Sequence, residues 1–309
     1  MFDRIAVPTD GSEGAERAAG HARAFARTFG ATVHVVSVAD ERRRATTDSA
    51  ETTDSAATTP ATDGEGTDRR DRLEREARAA IAAAADLLGD GVAVETDLLH
   101  GRPHEAILGY VADRDVDLVV MGTHGRTDLR RALVGGTTER VVRLSERPVL
   151  TVGPDADPAD GYGTVLIPTD GSDGVEPAVD CGLAVAAAFG ATVHALYVAD
   201  VRSFVADEEA DVEAPDAALD LLEDRGEDAV RSVVERAGDR GLDAAGDVVD
   251  GVPSRAIVDA AADRDADLVV LGTRGRTGLD RLLLGSVAEK VLRRVDCPAL
   301  TVRRSDDEE

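Results

Sequence analysis

At 309 residues the chain is long enough for about two domains of ordinary size, each with its own core. Its 61 acidic against 35 basic side chains leave a net charge of −26, which opposes any long contact with a phosphate backbone. Five Phe, three Tyr and no Trp supply little to stack bases on, so nonspecific nucleic-acid binding is set aside and the cores must be built on Val, Leu, Ile and Ala.

Lys290 is the only lysine; every other cation is Arg. A carboxylate-covered, lysine-poor surface suits molar salt, where a Debye length of about 3 Å screens self-repulsion, and a salt-adapted protein is expected. Cys181 and Cys297, the only cysteines, stand in neither a C-x-x-C nor a metal-ligand spacing, which excludes a disulfide framework. The first residues, MFDRIAVPTDGS, have no basic segment leading into an apolar run, and no uninterrupted apolar stretch reaches the about 18 residues of a membrane span. A soluble, cytoplasmic protein is expected.

In chain order, a strand is predicted near 3–7, then a helix opened by Ser12 as N-cap and stopped by Gly30. A second strand follows near 31–38. Residues 41–70, rich in Thr, Asp, Ser and Ala, read as a mobile loop, because that composition buries too little apolar area to offset its chain entropy. Strands near 92–98, 116–121 and 148–152, with helices between, complete the first half. The pattern then recurs. Residues 5–40 align without gaps on 165–200 at an offset of 160, and 97–152 align on 247–302 at an offset of 150. Strands are therefore predicted near 163–167, 191–198, 243–249, 266–271 and 298–302, with Ser172 as N-cap and Gly190 as the stop of the first helix of the second half.

DLVVMG and DLVVLG are continuous apolar runs of strand length, the mark of a parallel sheet covered on both faces. The fold class expected is α/β, with two repeated, doubly wound, open parallel five-stranded sheets of Rossmann-like form. Residues 1–153 make the first domain, 154–162 a linker rich in turn formers, 163–304 the second domain and 305–309 an acidic tail.

In such sheets ligands bind outside the carboxyl ends of the strands, which directs attention to the loops after the first and fourth strands. The first reads Pro8-Thr9-Asp10-Gly11-Ser12 and again Pro168-Thr169-Asp170-Gly171-Ser172. The Asp10 and Asp170 carboxylates suit sugar hydroxyls; equally, the Asp makes an Asx turn and the Ser caps the helix. The second loop carries Gly272, Gly275, Gly285 and Ser286 before a helix opening at Val287. Glycines let bare backbone approach a phosphate, and a helix N-terminus presents unpaired N–H groups, so an anion fits that corner. The first half keeps the glycines as Gly122, Gly125 and Gly135 but has Gly136 where the second has Ser286, with Thr137 one position later.

These motifs, in order and present twice, resemble a tandem universal stress protein, two such domains fused in one chain, and the resemblance covers nearly all of it. It implies the adenine nucleotide alpha hydrolase-like variant of the fold and, in its ATP-binding branch, an adenine held by backbone near the second strand, a ribose on the strand-tip Asp and a loop Gly, and phosphates on the glycine loop. Carried across, Val198 serves adenine, Asp170 and Gly272 ribose, and Gly275, Gly285, Ser286 and Val287 the phosphates, with Pro168, Thr169 and Leu271 lining the site. The matching positions of the first half are Pro8, Thr9, Asp10, Val38, Met121, Gly122, Gly125, Gly135, Gly136 and Thr137. The cofactor implied is ATP or another adenine nucleotide, with Mg or Mn. The family's pairing through the last strand of each sheet implies that 148–152 meets 298–302 within the chain.

His100 and His104, four apart, have the spacing of a metal pair, but Pro103 lies between them at a helix start, and no metal site is expected. His34 and His194 recur in the same strand as half-buried structural residues. Arg126 and Arg276 follow the second loop glycine and are placed for a phosphate or for neighbouring carboxylates. No G-x4-G-K-[S/T] loop, Ser–His–Asp set or paired carboxylates declare a catalyst. The reading is an adenine-nucleotide-binding regulatory module. The alternatives are a slow metal-dependent ATPase or phosphoryl-transfer enzyme, and a nucleotide-free scaffold.

Overall fold

The computed structural model describes residues 1–40, 63–123, 136–156, 161–200, 215–273 and 284–304. The first half runs β1 (Arg4–Pro8), α1 (Glu13–Phe29), β2 (Thr32–Ala39), α2 (Asp63–Leu88), β3 (Ala93–His100), α3 (Pro103–Asp113), β4 (Leu118–Gly122), α4 (Gly136–Leu144) and β5 (Val149–Val152). The second runs β6 (Thr164–Pro168), α5 (Glu176–Phe189), β7 (Thr192–Ala199), α6 (Pro215–Asp239), β8 (Ala244–Asp250), α7 (Pro253–Asp263), β9 (Leu268–Gly272), α8 (Ser286–Leu292) and β10 (Ala299–Val302). Within each half the strands are parallel, in the orders β3-β2-β1-β4-β5 and β8-β7-β6-β9-β10.

The alternation of side chains explains the layers. Ile5, Val7, Val33, Val35, Leu118 and Val120 face α1 and α2 in one core, while Ala6, Val119 and Met121 face Ile107, Val111, Val141 and Val142 of α3 and α4 in the other. β4 is buried on both sides, as a central parallel strand must be. α1 presents Ala15, Ala18, Ala19, Ala22, Phe25 and Ala26 at helical spacing to the sheet. Ser12 caps it, its hydroxyl accepting from Ala15 N at 3.3 Å, and Gly30 at φ 69° closes it.

The second half departs from this at the same place. Ser172 is not the N-cap of α5: that position falls to Val175, and the Ser172 hydroxyl donates instead to Asp170 Oδ1 at 2.6 Å. Pro177 is the cause. A helix opened at Asp173 would need the N–H that Pro177 lacks and would drive its ring into the Asp173 carbonyl, so α5 starts at Glu176 and keeps the proline in its first turn. Two other expectations change. Residues 63–70, assigned to a loop, are the first turns of α2, whereas 41–62 lie outside the described residues. The last helix opens at Ser286, one residue before Val287.

The two five-stranded units are continuous. β5 and β10 pair antiparallel, Leu150 opposite Leu300, and the pairing is closed by two matching hydroxyls: Thr151 donates to Ala299 O at 3.0 Å and Thr301 to Val149 O at 3.1 Å. One ten-stranded sheet results, with the halves related by an approximate two-fold axis between these strands.

His34 and His194 occupy the same place in β2 and β7. The Tyr110 hydroxyl donates to Asp97 at 2.6 Å and lies 3.0 Å from His34 Nδ1; burial, with the Asp97 bond, raises its pKa. In the second half Ala260 replaces that tyrosine, and His194 Nδ1 is buried without a hydrogen-bond partner among the described residues. Burial lowers both imidazole pKa values below the ordinary 6.5; Glu95 opposes this at His34, and Arg264 reinforces it at His194. Below that pH the unfolded chain binds protons that the folded one refuses, so stability present above 6.5 is lost as pH falls through it. The urea midpoint should drop between about pH 7.5 and about pH 5.5, and drop less in His194→Leu. An identical drop in the variant would contradict the assignment.

Candidate functional site

In each half the chain leaves β1 (or β6) toward one edge of the sheet and β4 (or β9) toward the other, so the crevice between these two neighbouring strands is the topological switch point. The loops singled out from the sequence open there. Pro8 and Pro168 end β1 and β6. The next residue is tied down: Thr9 N donates to Val36 O at 2.8 Å and Thr169 N to Leu196 O at 2.9 Å, leaving both threonines buried. Their hydroxyls accept from Gly11 N at 3.2 Å and Gly171 N at 3.1 Å. Gly11 and Gly171 turn the chain at φ 72° and 71°, which glycine alone adopts without strain.

Asp10 and Asp170 follow, half-buried, each accepting from the N–H two residues on at 3.0 Å. The Asx turn is therefore present in both halves, and it orients the carboxylate at the strand tip.

Met121 and Leu271 are buried beneath the other lip, and Gly122 and Gly272 end β4 and β9. A Cβ on Gly122 would lie 2.6 Å from the backbone carbon and oxygen of Gly14, so the first turn of α1 rests directly on the end of β4. Gly14 was not singled out from the sequence; its signal was the shared D-G-S-x-G, in which Gly174 repeats it. Thr123 N and Thr273 N then bond Val152 O at 2.9 Å and Val302 O at 3.0 Å, fixing the exit of each chain from the sheet. Val38 and Val198, next to last in β2 and β7, are half-buried against the core on the α3 and α7 side.

At the far side of the crevice each half has a described tie next to its last helix. In the second, Gly285 N donates to Thr273 O at 2.9 Å, and a Cβ on Gly285 would meet that oxygen at 3.0 Å. Gly285 is the N-cap of α8, followed by exposed Ser286 and half-buried Val287. In the first, the Thr138 hydroxyl donates to Gly122 O at 2.8 Å, a tie that Ala288 cannot make in the second half. Gly136 and Thr137 open α4, with empty space where a Gly136 side chain would stand. Gly125, Gly135, Gly275, Arg126 and Arg276 lie outside the described residues. His100 ends β3 while His104 lies in the first turn of α3, so the two do not share a helical face. Among the described residues no three His, Cys, Asp or Glu side chains come together as a metal set, and no helix is long and apolar enough to cross a membrane.

A duplicated Rossmann-like α/β protein, with a carboxylate turn facing a glycine-ended strand at each switch point, is what fold and site define. The model of the universal stress protein family matches residues 1–153 and again 161–303, and the chain belongs to that family. A universal stress protein of Methanocaldococcus jannaschii is 40% identical over 148 residues, covering 48% of this chain and 85% of that one. One of Mycobacterium bovis is 29% identical over 245 residues, 75% of this chain and 78% of the other. Among solved structures, a universal stress protein from Archaeoglobus fulgidus superposes with a TM-score of 0.67 at 20% identity over 99% of this chain and 97% of that one, a likeness of fold.

Proposed function

We propose that the chain is an adenine-nucleotide-binding regulatory protein whose occupancy by ATP changes shape or partner choice rather than driving turnover. The observation that carries the reading is the convergence, at each switch point, of an Asx-oriented carboxylate with a glycine-ended strand: Asp10 with Gly122, where a Cβ would strike the Gly14 backbone, and Asp170 with Gly272. In the second half, Asp170 and Gly272 would take the ribose, Val198 backbone the adenine, and Gly275, Gly285, Ser286 and Val287 the phosphates, lined by Pro168, Thr169 and Leu271. Magnesium or manganese would ride on the phosphates. The first half offers the same places with a weaker phosphate grip, since Gly136 stands for Ser286. The domain bounds 1–153 and 163–304, and a cytoplasmic location, belong to the same reading.

The test is extraction. Protein purified in molar salt without added nucleotide should release adenine nucleotide on acid denaturation; a nucleotide-free protein that also fails to take up ATP would leave the scaffold reading. Gly136→Ser, which the empty space accommodates, should tighten ATP at the first half about tenfold, the scale of one hydrogen bond to a charged group. No change in either site would refute the role given to that hydroxyl.

We also propose salt adaptation, motivated by the net charge of −26 and the single lysine. As salt falls from about 1 M to about 0.1 M the Debye length grows from about 3 Å to about 10 Å, and carboxylate repulsion then acts across the surface. The far-ultraviolet circular dichroism of the native state should be lost on dialysis to low salt, and an unchanged thermal midpoint would overturn the proposal.

A further inference from the structure

On the sheet face that carries α1 and α5, the two halves meet through an aromatic seam. Phe25 and Phe29 of α1 lie 5.3 and 6.1 Å from Phe189 of α5, and Tyr162, just ahead of β6, lies 5.4 Å from Phe25 and 5.0 Å from Phe189. Inside that seam His21 Nδ1 stands 2.8 Å from the Tyr162 hydroxyl, with His21 1% and Tyr162 2% exposed. It is a buried polar pair that joins one half to the other.

The duplication shows what is unusual about it. At the offset of 160 residues, Tyr162 corresponds to Phe2 and His21 to Cys181. The correspondence holds at that end of the repeat, because Asp117 Oδ2 accepts from Asp3 N and Arg4 N as Asp267 Oδ2 does from Gly163 N and Thr164 N. The approximate two-fold axis therefore relates the place that His21 and Tyr162 fill to a second one, which the register of the repeat assigns to Cys181 and Phe2, both buried in the same core. Only an unlike pair of halves produces this matched filling. Two first halves would set each His21 against a Phe2 ring. Two second halves would set each Tyr162 hydroxyl against a Cys181 thiol, a weak partner. Burying a polar group without its partner is far more costly than leaving an apolar pair apolar.

We propose that the His21–Tyr162 hydrogen bond sorts the halves, so that the seam accepts a first half with a second half and disfavours like with like, keeping the pairing within unlike halves. β5 and β10 contribute no such preference, since their threonine bonds are the same from either side. The seam is thus the place where the duplicated chain tells its two halves apart.

The test moves one oxygen atom. Phe2→Tyr/Tyr162→Phe leaves the composition unchanged but reverses the sorting: first halves now carry both His21 and a tyrosine, second halves neither. Tethered halves see each other at an effective concentration on the order of 1 mM, so refolded protein at about 100 µM in molar salt is examined by size exclusion with light scattering. The variant should give masses of two or more times that of the wild type, in a fraction at least about tenfold larger than the wild type shows at the same concentration. An unchanged mass overturns the proposal, whatever the stability. Should the variant fail to fold, Phe2→Tyr/Cys181→His decides: it adds the pair at the second place and should keep the wild-type mass with a higher urea midpoint than Phe2→Tyr alone. A midpoint below that of Phe2→Tyr would mean the two places are not equivalent, and the inference falls.

Discussion

Gly122→Val is expected to cost the protein about 3 kcal/mol, a large share of the stability of a single domain. The new Cβ would stand 2.6 Å from two backbone atoms of Gly14, and backbone cannot rotate away as a long side chain does. Either α1 lifts from the end of β4 or β4 is pushed down into the core that holds Met121, and in both cases the crevice between β1 and β4 changes shape. Gly136→Ala, in the same loop system, meets nothing within 4 Å and should shift stability by less than about 1 kcal/mol. Urea unfolding of the pair checks the argument. Equal losses in the two variants would show that the close approach of Gly14 to Gly122 is not what sets the cost.

Gly285→Val is expected to abolish nucleotide binding by the second half. Its Cβ would crowd Thr273 O at 3.0 Å and its branches would occupy the side from which the resemblance brings the phosphates to the start of α8. Because Gly285 N also bonds Thr273 O, the variant must be shown to fold before its binding is read. Gly135→Val, the matching change in the first half, should remove only the weaker site. Loss of all binding in both variants would mean the sites are one cooperative unit, and loss in neither would remove the glycine loops from the binding account.

Much of this architecture was legible because the chain states it twice. β4 and β9 announced themselves as continuous apolar runs, and Gly30 and Gly190 as helix stops, since each depends on residues within the element itself. The Asp10 and Asp170 loops were legible as a place, and the structure shows the Asx turns that sequence left open beside a ligand role. Ser172 was misread because repetition of T-D-G-S outweighed Pro177 five residues later, which decides where α5 can begin. The first turns of α2 were misread as loop from their composition, although helices lying along a sheet gain their stability from burial further on, at Ala77, Ile81, Ala84 and Leu88. The contact of Gly14 with Gly122 and the His21–Tyr162 pair were missed for a different reason: although D-G-S-x-G marked Gly14, each contact joins residues more than one hundred positions apart, a relation that periodicity does not encode.

Calorimetric titration of ATP with magnesium into the intact protein in molar salt tests whether the switch points bind adenine nucleotide. Saturable binding is expected, tighter at the second half, lost there in Gly285→Val and retained there in Gly135→Val. A folded wild-type protein that shows no heat of binding across the titration would contradict it.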